Sequence, residues 1–309
     1  MRRILTAISI LGFALSATAH EDVTIEAFNA AFGIDLETAE VTSESVAPGI
    51  HVLFDAGGNV LASIGDQGVF LVDSQFPQMV PRILEKVSEL GGNEINFMVN
   101  THWHFDHADG NSLLAQMGVS IVSQINSRRM MAGQHSIDMV GLIVSQPPYP
   151  KGALPVITYT DQMQVHFNNE RIDLMHFGPA HTTGDTAVLF RGSNVVHMGD
   201  VTNPGYPFID AGNGGDLDGM ILFNKKVLNE LNEDSIVVPG HGSVMSYADM
   251  AAYTLMLETV RDRINRLIDA GMSLEQVLAA KPTAEFDAKY GLWGGPERLI
   301  NRAYMSLAR

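Results

Sequence analysis

The chain has 309 residues, 46% of them hydrophobic, and 19 basic residues against 35 acidic ones give a formal charge of −16. That balance argues against a nucleic-acid binder or a protein that rests on an anionic membrane, because both need a basic face. The absence of cysteine excludes a disulfide framework and a thiolate metal site, so stability must come from a buried core, and any metal must be held by nitrogen and oxygen.

The first residues have the layout of a secretory signal: Arg2 and Arg3, an apolar run from Ile4 to Leu15, then Ala17-Thr18-Ala19 as a cleavage site. The run is shorter than the roughly 20 residues of a bilayer span, so the expectation is cleavage after Ala19, no membrane span afterwards, and a periplasmic or secreted product. Cleavage removes two arginines and no acid, so 17 basic residues remain against 35 acidic, a net charge of −18. Residues 20–309 read as one domain, with no Gly, Pro or Ser-rich linker and no fixed-period repeat.

Residues 20–49 are polar and acidic without a clear period and read as a loose lead-in. From Ile50 the apolar runs are broken by Ala56-Gly57-Gly58-Asn59 and Gly65-Asp66-Gln67-Gly68, the turn chemistry of hairpin strands. Pro81 to Leu90 has helical spacing and stops at Gly91-Gly92. INFMVN is a buried strand; a helix over Ser112–Met117 and a strand VSIVS follow. Residues 126–155, Met-rich and then proline-rich, read as a loop or mixed insertion. The second half repeats the strand texture in ITYT, MQVHFNN, RIDLMHF, TAVLFRG, SNVVHMGD and SIVVPGHG, with helices over Leu217–Leu231 and Tyr247–Ala270 and a helical tail. Two runs of strands, each followed by helices, predict an α/β sandwich of two sheets with helices outside.

The run HWHFDHAD after INFMVN concentrates three of the 11 histidines and two aspartates. His102 and His104 are two apart, so on an extended strand end they point to one side and face one ion. Asp106 and His107 follow where the chain turns and face a second ion. Three further metal-type residues end later strands beside small residues: His181 in HFGPAHTTGD, Asp200 in SNVVHMGD and His241 in VVPGHG. Neutral imidazoles and carboxylates suit zinc, with iron or manganese as alternatives. Single histidines are more often structural than ligating, which is the reading for His51, His135, His166 and His176; His197, near Asp200 on an inward strand, is a candidate second partner for the site. Met130, Met131 and Met139 read as packing, with a place at the rim of a pocket as the alternative.

HWHFDH with a later histidine, a GD aspartate and a PGHG histidine resembles the metallo-β-lactamase superfamily of metallohydrolases, whose H-x-H-x-D-H run and three spaced single ligands are matched at all seven positions. The resemblance implies a four-layer αββα sandwich. It implies two zinc ions, one held by His102, His104 and His181, the other by Asp106, His107 and His241, with Asp200 between them. Two such ions would lower the pKa of a shared water towards neutrality and stabilise the oxyanion formed on attack, so the resemblance implies a hydrolase of a small-molecule ester, thioester, lactone, amide or phosphodiester. Asp106 is the candidate proton carrier. Where many metallo-β-lactamases have a cysteine ligand and a lysine three residues later, this chain has Asp200 and Asn203; the aspartate is similar to glyoxalase II, lactonase and phosphodiesterase branches. The scattered Lys281, Lys289, Arg298, Arg302 and Arg309 do not form the basic cluster of a glutathione thioesterase. β-Lactam hydrolysis, a mononuclear iron persulfide-dioxygenase-like oxidation and a non-catalytic zinc carrier stay open. Tyr206 and Asn213, in the glycine-rich stretch 199–221, are candidate substrate contacts.

The leader makes one direct prediction: the N-terminus of exported protein, read by mass spectrometry, starts at His20, and an intact Met1 would refute cleavage.

Overall fold

The computed structural model describes residues 21–291 and 294–309; the expected leader, its cleavage site and His20 lie outside the described residues. The strands in chain order are β1 (Glu21–Val23), β2 (Thr42–Ala47), β3 (Ile50–Phe54), β4 (Val60–Gly65), β5 (Gly68–Val72), β6 (Ile95–Val99), β7 (Ser120–Gln124), β8 (His135–Asp138), β9 (Leu142–Gln146), β10 (Ile157–Tyr159), β11 (Gln162–Phe167), β12 (Glu170–Met175), β13 (Ala187–Phe190), β14 (Val195–His197), β15 (Ile236–Val238) and β16 (Met245–Ser246). They form a seven-stranded sheet in the order β10-β7-β6-β5-β4-β3-β2, a six-stranded sheet β11-β12-β13-β14-β15-β16 and a small sheet β1-β9-β8.

Side-chain alternation along the strands separates three apolar layers. Val52, Leu61, Phe70, Val72 and Val99 of the first sheet meet Val188, Phe190, Val195 and Val238 of the second in a core between the sheets. The intervening residues face outward. Leu53, Val60, Leu71 and Met98 pack under α1 (Ile25–Ala31), α2 (Val80–Glu89), α3 (Phe105–Ala108), α4 (Asn111–Gln116) and α5 (Ile125–Met131). Leu189, Val196 and Val237 pack under α6 (Leu217–Leu228), α7 (Tyr247–Asp269), α8 (Leu274–Ala280), α9 (Asp287–Tyr290) and α10 (Gly295–Leu307). The result is the expected four-layer αββα sandwich.

One expectation changes and one alternative is settled. Residues 20–49 are not a loose lead-in: Thr24 caps α1 by accepting from the Ala27 N–H at 3.2 Å, and β2 pairs with β3 at the sheet edge. A seven-residue helix is too short to show a period, and four of the six residues of β2 are exposed, which removes the apolar alternation that marks a strand. The 126–155 insertion contains a helix and a strand pair, and β9 pairs in parallel with β1, tying the insertion to the N-terminal segment. Among the described residues no helix is long and apolar enough to cross a membrane.

The contact between the sheets is densest at Phe70, whose ring lies 6.4 Å from Phe97 in its own sheet, and 6.3 Å from Phe167 and 6.2 Å from Phe190 in the other. Phe70→Ala is expected to cost about 3–5 kcal/mol and at least about 6 °C of Tm; a change under about 2 °C by calorimetry would show that the layer does not depend on this ring.

Candidate metal centre

All seven candidate residues leave the C-terminal ends of strands. His102, His104, Asp106 and His107 follow β6, His181 follows β12, Asp200 follows β14 and His241 follows β15, so both sheets deliver groups to one edge of the sandwich. The H-x-H pair is not on the strand, as the sequence had led us to expect. β6 ends at Val99, and His104 is the N-cap of α3 with φ −65° and ψ 149°. The two rings still converge, because the chain stays extended at His104 before α3 turns Asp106 and His107 inward.

Ligand-type atoms fall within 4.8 Å of one another in three groups: His102, His104 and His181; Asp106, His107 and His241; and His102, His107 and Asp200. Asp200 connects the first two, its oxygens lying 3.3 Å from His107 Nε2, 3.5 Å from His241 Nε2 and 3.7 Å from His181 Nε2. Within the groups, His104 Nδ1 and His181 Nε2 are 2.9 Å apart, and His107 Nε2 and His241 Nε2 are 3.2 Å apart.

Outer partners decide which ring nitrogen faces inward. His107 Nδ1 lies 2.8 Å from Asp73 Oδ2, His104 Nε2 3.1 Å from Asp210 Oδ2, and His181 Nδ1 2.8 Å from the Phe208 carbonyl. An acceptor outside requires an N–H there, so the lone pair points into the cluster. For His102 the acceptor is the Thr101 hydroxyl at 3.0 Å, which in turn donates to Asp73 Oδ2 at 2.7 Å. His102 Nε2 is buried and has no hydrogen-bond partner. A buried, unpartnered imidazole nitrogen beside other inward lone pairs fits a bound divalent cation, which would satisfy it.

The electrostatics differ between the groups. Burial, followed by the charge of His107, His181 and His104, pushes His102 well below the usual imidazole value, and burial lowers His181 as well. In the other group burial is outweighed: Asp200 and Asp106 lift His241 to about 9 and, with Asp73, raise His107 well above its ordinary value. Burial also opposes ionisation of Asp106 and Asp200, yet the two histidines hold Asp106 at about 2 and Asp200 well below the carboxylate range. His102 and His181 are thus biased to the neutral form, whereas His107 and His241 hold protons beside Asp106 and Asp200.

Glycines make room for this packing. A Cβ on Gly58 would lie 2.1 Å from the His107 ring, and one on Gly240 1.9 Å from Asp200 Oδ1, so neither position accepts a side chain.

Of the other expected residues, His197 does brace the site: its Nδ1 accepts from the Gly199 N–H at 3.1 Å and its Nε2 lies 3.0 Å from the Asn59 carbonyl. Asn203 joins two loops, donating to the Asp200 carbonyl at 3.3 Å and accepting from the His241 N–H at 3.1 Å. Asn213 is not a cavity residue. Its amide sits 3.0 Å from both Asp210 oxygens and 2.9 Å from the Ser136 carbonyl, which fixes the partner of His104. Tyr206 lines the cavity with its ring, but its hydroxyl is spent on Asp287 at 2.7 Å and the Thr283 carbonyl at 3.2 Å. Met131 is fully buried in the outer core while Met139 lines the cavity. His51 pairs with Ser45 and His176 with the Asp185 carbonyl. His135 rests against Trp103, and His166 is exposed.

Asp73 and Asp210 were missed. Asp73 ends the apolar run VFLVD, the same strand-end signal that selected Asp200; Asp210 had no comparable signal. The cavity beside the cluster, about 290 Å³, has His104, Asp106, His181, Asp200 and His241 at one end and Phe28, Phe32, Phe105 and Leu299 in its walls.

Fold and cluster together define a class: proteins that gather imidazoles and carboxylates at one edge of a four-layer sandwich. The model of the metallo-beta-lactamase superfamily matches residues 53–241, and the chain belongs to that superfamily. Among curated relatives, the alpha subunit of a 2,4-dinitroanisole O-demethylase from Nocardioides sp. is 24% identical over 183 residues, 55% of this chain and 49% of that one. A probable metallo-hydrolase of Methanocaldococcus jannaschii is 20% identical over 190 residues, 60% of this chain and 84% of that one. This chain therefore spans about half the length of the first relative. Among solved structures, a metallo-beta-lactamase from Pontibacter korlensis superposes with TM-score 0.58 at 14% identity, covering 71% of this chain and 99% of that one. A double mutant of the sec-alkyl sulfatase PisA1 gives 0.67 at 14% identity, covering 85% and 50%. At such identities the structural likeness establishes the fold.

The contrast between the groups predicts different pH responses. Because the pKa of His241 in the metal-free chain is raised to about 9 and that of His107 is raised as well, a metal entering there must displace protons, so affinity at that group rises with pH by up to about tenfold per unit for each proton displaced, more steeply than at the group that contains the lowered His102 and His181. The same raised pKa stabilises the metal-free fold fully below the unfolded value of about 6.5, and this contribution is lost as pH rises through about 9. Metal titrations at several pH values, read by bound stoichiometry, check the first part; equal slopes for both equivalents would refute it.

Proposed function

We propose that this chain is an exported binuclear zinc hydrolase acting on a small-molecule ester, thioester, lactone, amide or phosphodiester. The observation that carries the reading is the meeting of two three-residue ligand groups at Asp200. His102, His104 and His181 would hold one ion and Asp106, His107 and His241 the other, with Asp200 shared. Bound there, the two ions would supply a water acidic enough to ionise near neutral pH and would stabilise negative charge on the substrate oxygen.

The protein groups have separate tasks. Asp73 and Asp210 hold the imidazoles in the tautomers that present lone pairs, and their own burial keeps water from replacing them. Asp106 lines the cavity and is the more open of the two cluster carboxylates, with 22% of its side chain exposed against 12% for Asp200. It is accordingly the group placed to pass a proton to a leaving atom, a role that requires contact with both the cluster and the substrate. The aromatic walls exclude water from the substrate side. The lack of a thiolate and the mixed polar and apolar lining of the cavity favour no particular scissile bond within the class.

His104→Ala and His181→Ala are each expected to lower zinc content by about one equivalent and to reduce turnover at least about 100-fold. The checks are metal analysis and hydrolysis assays on a lactone, a thioester, a phosphodiester and a β-lactam. Full zinc and full activity in both variants would sink the ligand assignment. One iron per chain and no hydrolysis in the parent protein would replace the hydrolase reading with an oxidative one.

A further inference from the structure

The cavity beside the cluster also carries a cation that has no counter-charge among the described residues. Arg298, in the first turn of α10, lines the same cavity as His104, Asp106 and His241. Its guanidinium lies 5.1 Å from the centre of the Phe32 ring, and among the described residues it has neither a hydrogen-bond nor an ion-pair partner. Burial alone lowers its pKa, without a neighbouring carboxylate to offset the shift. Arg302, one turn later, shows the contrast: it is buried and bound to Asp138 at 2.7 Å. That bond ties α10 to β8, fixing the turn that carries Arg298.

Two further features accompany this cation. Gly294 and Gly295 also line the cavity, and among the described residues no side chain caps the start of α10, so its first N–H groups add positive potential on the same side. The one acid in that turn, Glu297, is exposed and does not line the cavity. Between the cation and the cluster the wall is aromatic: Phe32 stacks 4.5 Å from Phe28, Phe28 lies 5.6 Å from Phe105, and Phe105 directly follows His104. A partly desolvated guanidinium on an aromatic floor is a carboxylate receptor, since it offers a planar fork of donors that bulk water no longer saturates.

We propose that the cavity takes amphiphilic monocarboxylates: an apolar, preferably aromatic, body lies along Phe28, Phe32 and Phe105, the carboxylate pairs with Arg298, and the bond to be cleaved sits at the other end beside Asp106 and Asp200. The position of the cleaved bond rests on the hydrolase reading; the carboxylate subsite does not.

Calorimetric titration of the full chain, supplied with zinc, with phenylhexanoate and with the uncharged phenylhexanol tests the subsite. The carboxylate is expected to bind at least about tenfold more tightly. In Arg298→Gln that preference should disappear while phenylhexanol affinity stays within about twofold, and Arg298→Lys should restore part of it. A preference that survives in Arg298→Gln, showing that the carboxylate sits on the cluster, or no preference in the parent protein, would overturn the proposal. Rates on a matched pair of aryl esters, one with a distal carboxylate and one neutral, separate the two readings. Carboxylate binding without cleavage of either ester leaves the subsite standing and refutes hydrolysis of esters. Cleavage of both at equal kcat/KM, unchanged in Arg298→Gln, does the reverse.

Discussion

The structure depends on fixing which nitrogen of each buried imidazole faces into the cluster, which requires a hydrogen-bond acceptor behind the ring. Asp73 is the centre of that arrangement. It is fully buried, accepts from the Thr101 N–H at 2.7 Å and from the Thr101 hydroxyl at 2.7 Å, and lies 2.8 Å from His107. One carboxylate thereby orients His107 directly and His102 through Thr101, across both ligand groups. A buried charge of this kind is tolerable only when it is hydrogen-bonded on several sides. The backbone is strained to place it there: Asp73 has φ of 66°, a left-handed conformation unusual for a residue with a side chain. The site is therefore supported by the chain just past β5 as well as by the ligand run itself.

Much of this was legible in the sequence, and the reasons differ by level. The four layers were readable because strands such as Val69 to Val72 alternate between two apolar cores, leaving long hydrophobic runs between glycine turns. The seven cluster residues were readable because metal-type side chains recur at strand ends, a position fixed by local pattern. What failed was longer in range or weaker in period. Asp210 meets His104 across 106 residues, and nothing local marks it. α1 and β2 were invisible because one is under two turns long and the other exposes most of its side chains. Asn213 and Tyr206 were placed in the right segment for the wrong reason: Asn213 orients Asp210, and the Tyr206 hydroxyl is turned to Asp287. Side-chain direction in an irregular loop follows from packing, which residue identity does not encode.

The cluster and the cavity walls come from different parts of the chain. All seven cluster residues lie within the 53–241 segment that defines the superfamily. Phe28 and Phe32 precede it, and Gly294, Gly295, Arg298 and Leu299 follow it.

The contact between Arg298 and Phe32 joins a helix near the beginning of the described chain to the last one. A polypeptide ending before Gly294 would possess every cluster residue and the strands that aim them, yet its reactive edge would open to solvent on one side. Reactive groups and cavity wall thus lie on different stretches of the described chain: the seven candidate ligands end at His241, while part of the wall is carried by α10, whose Leu299, Ile300 and Ala303 also pack into the outer core.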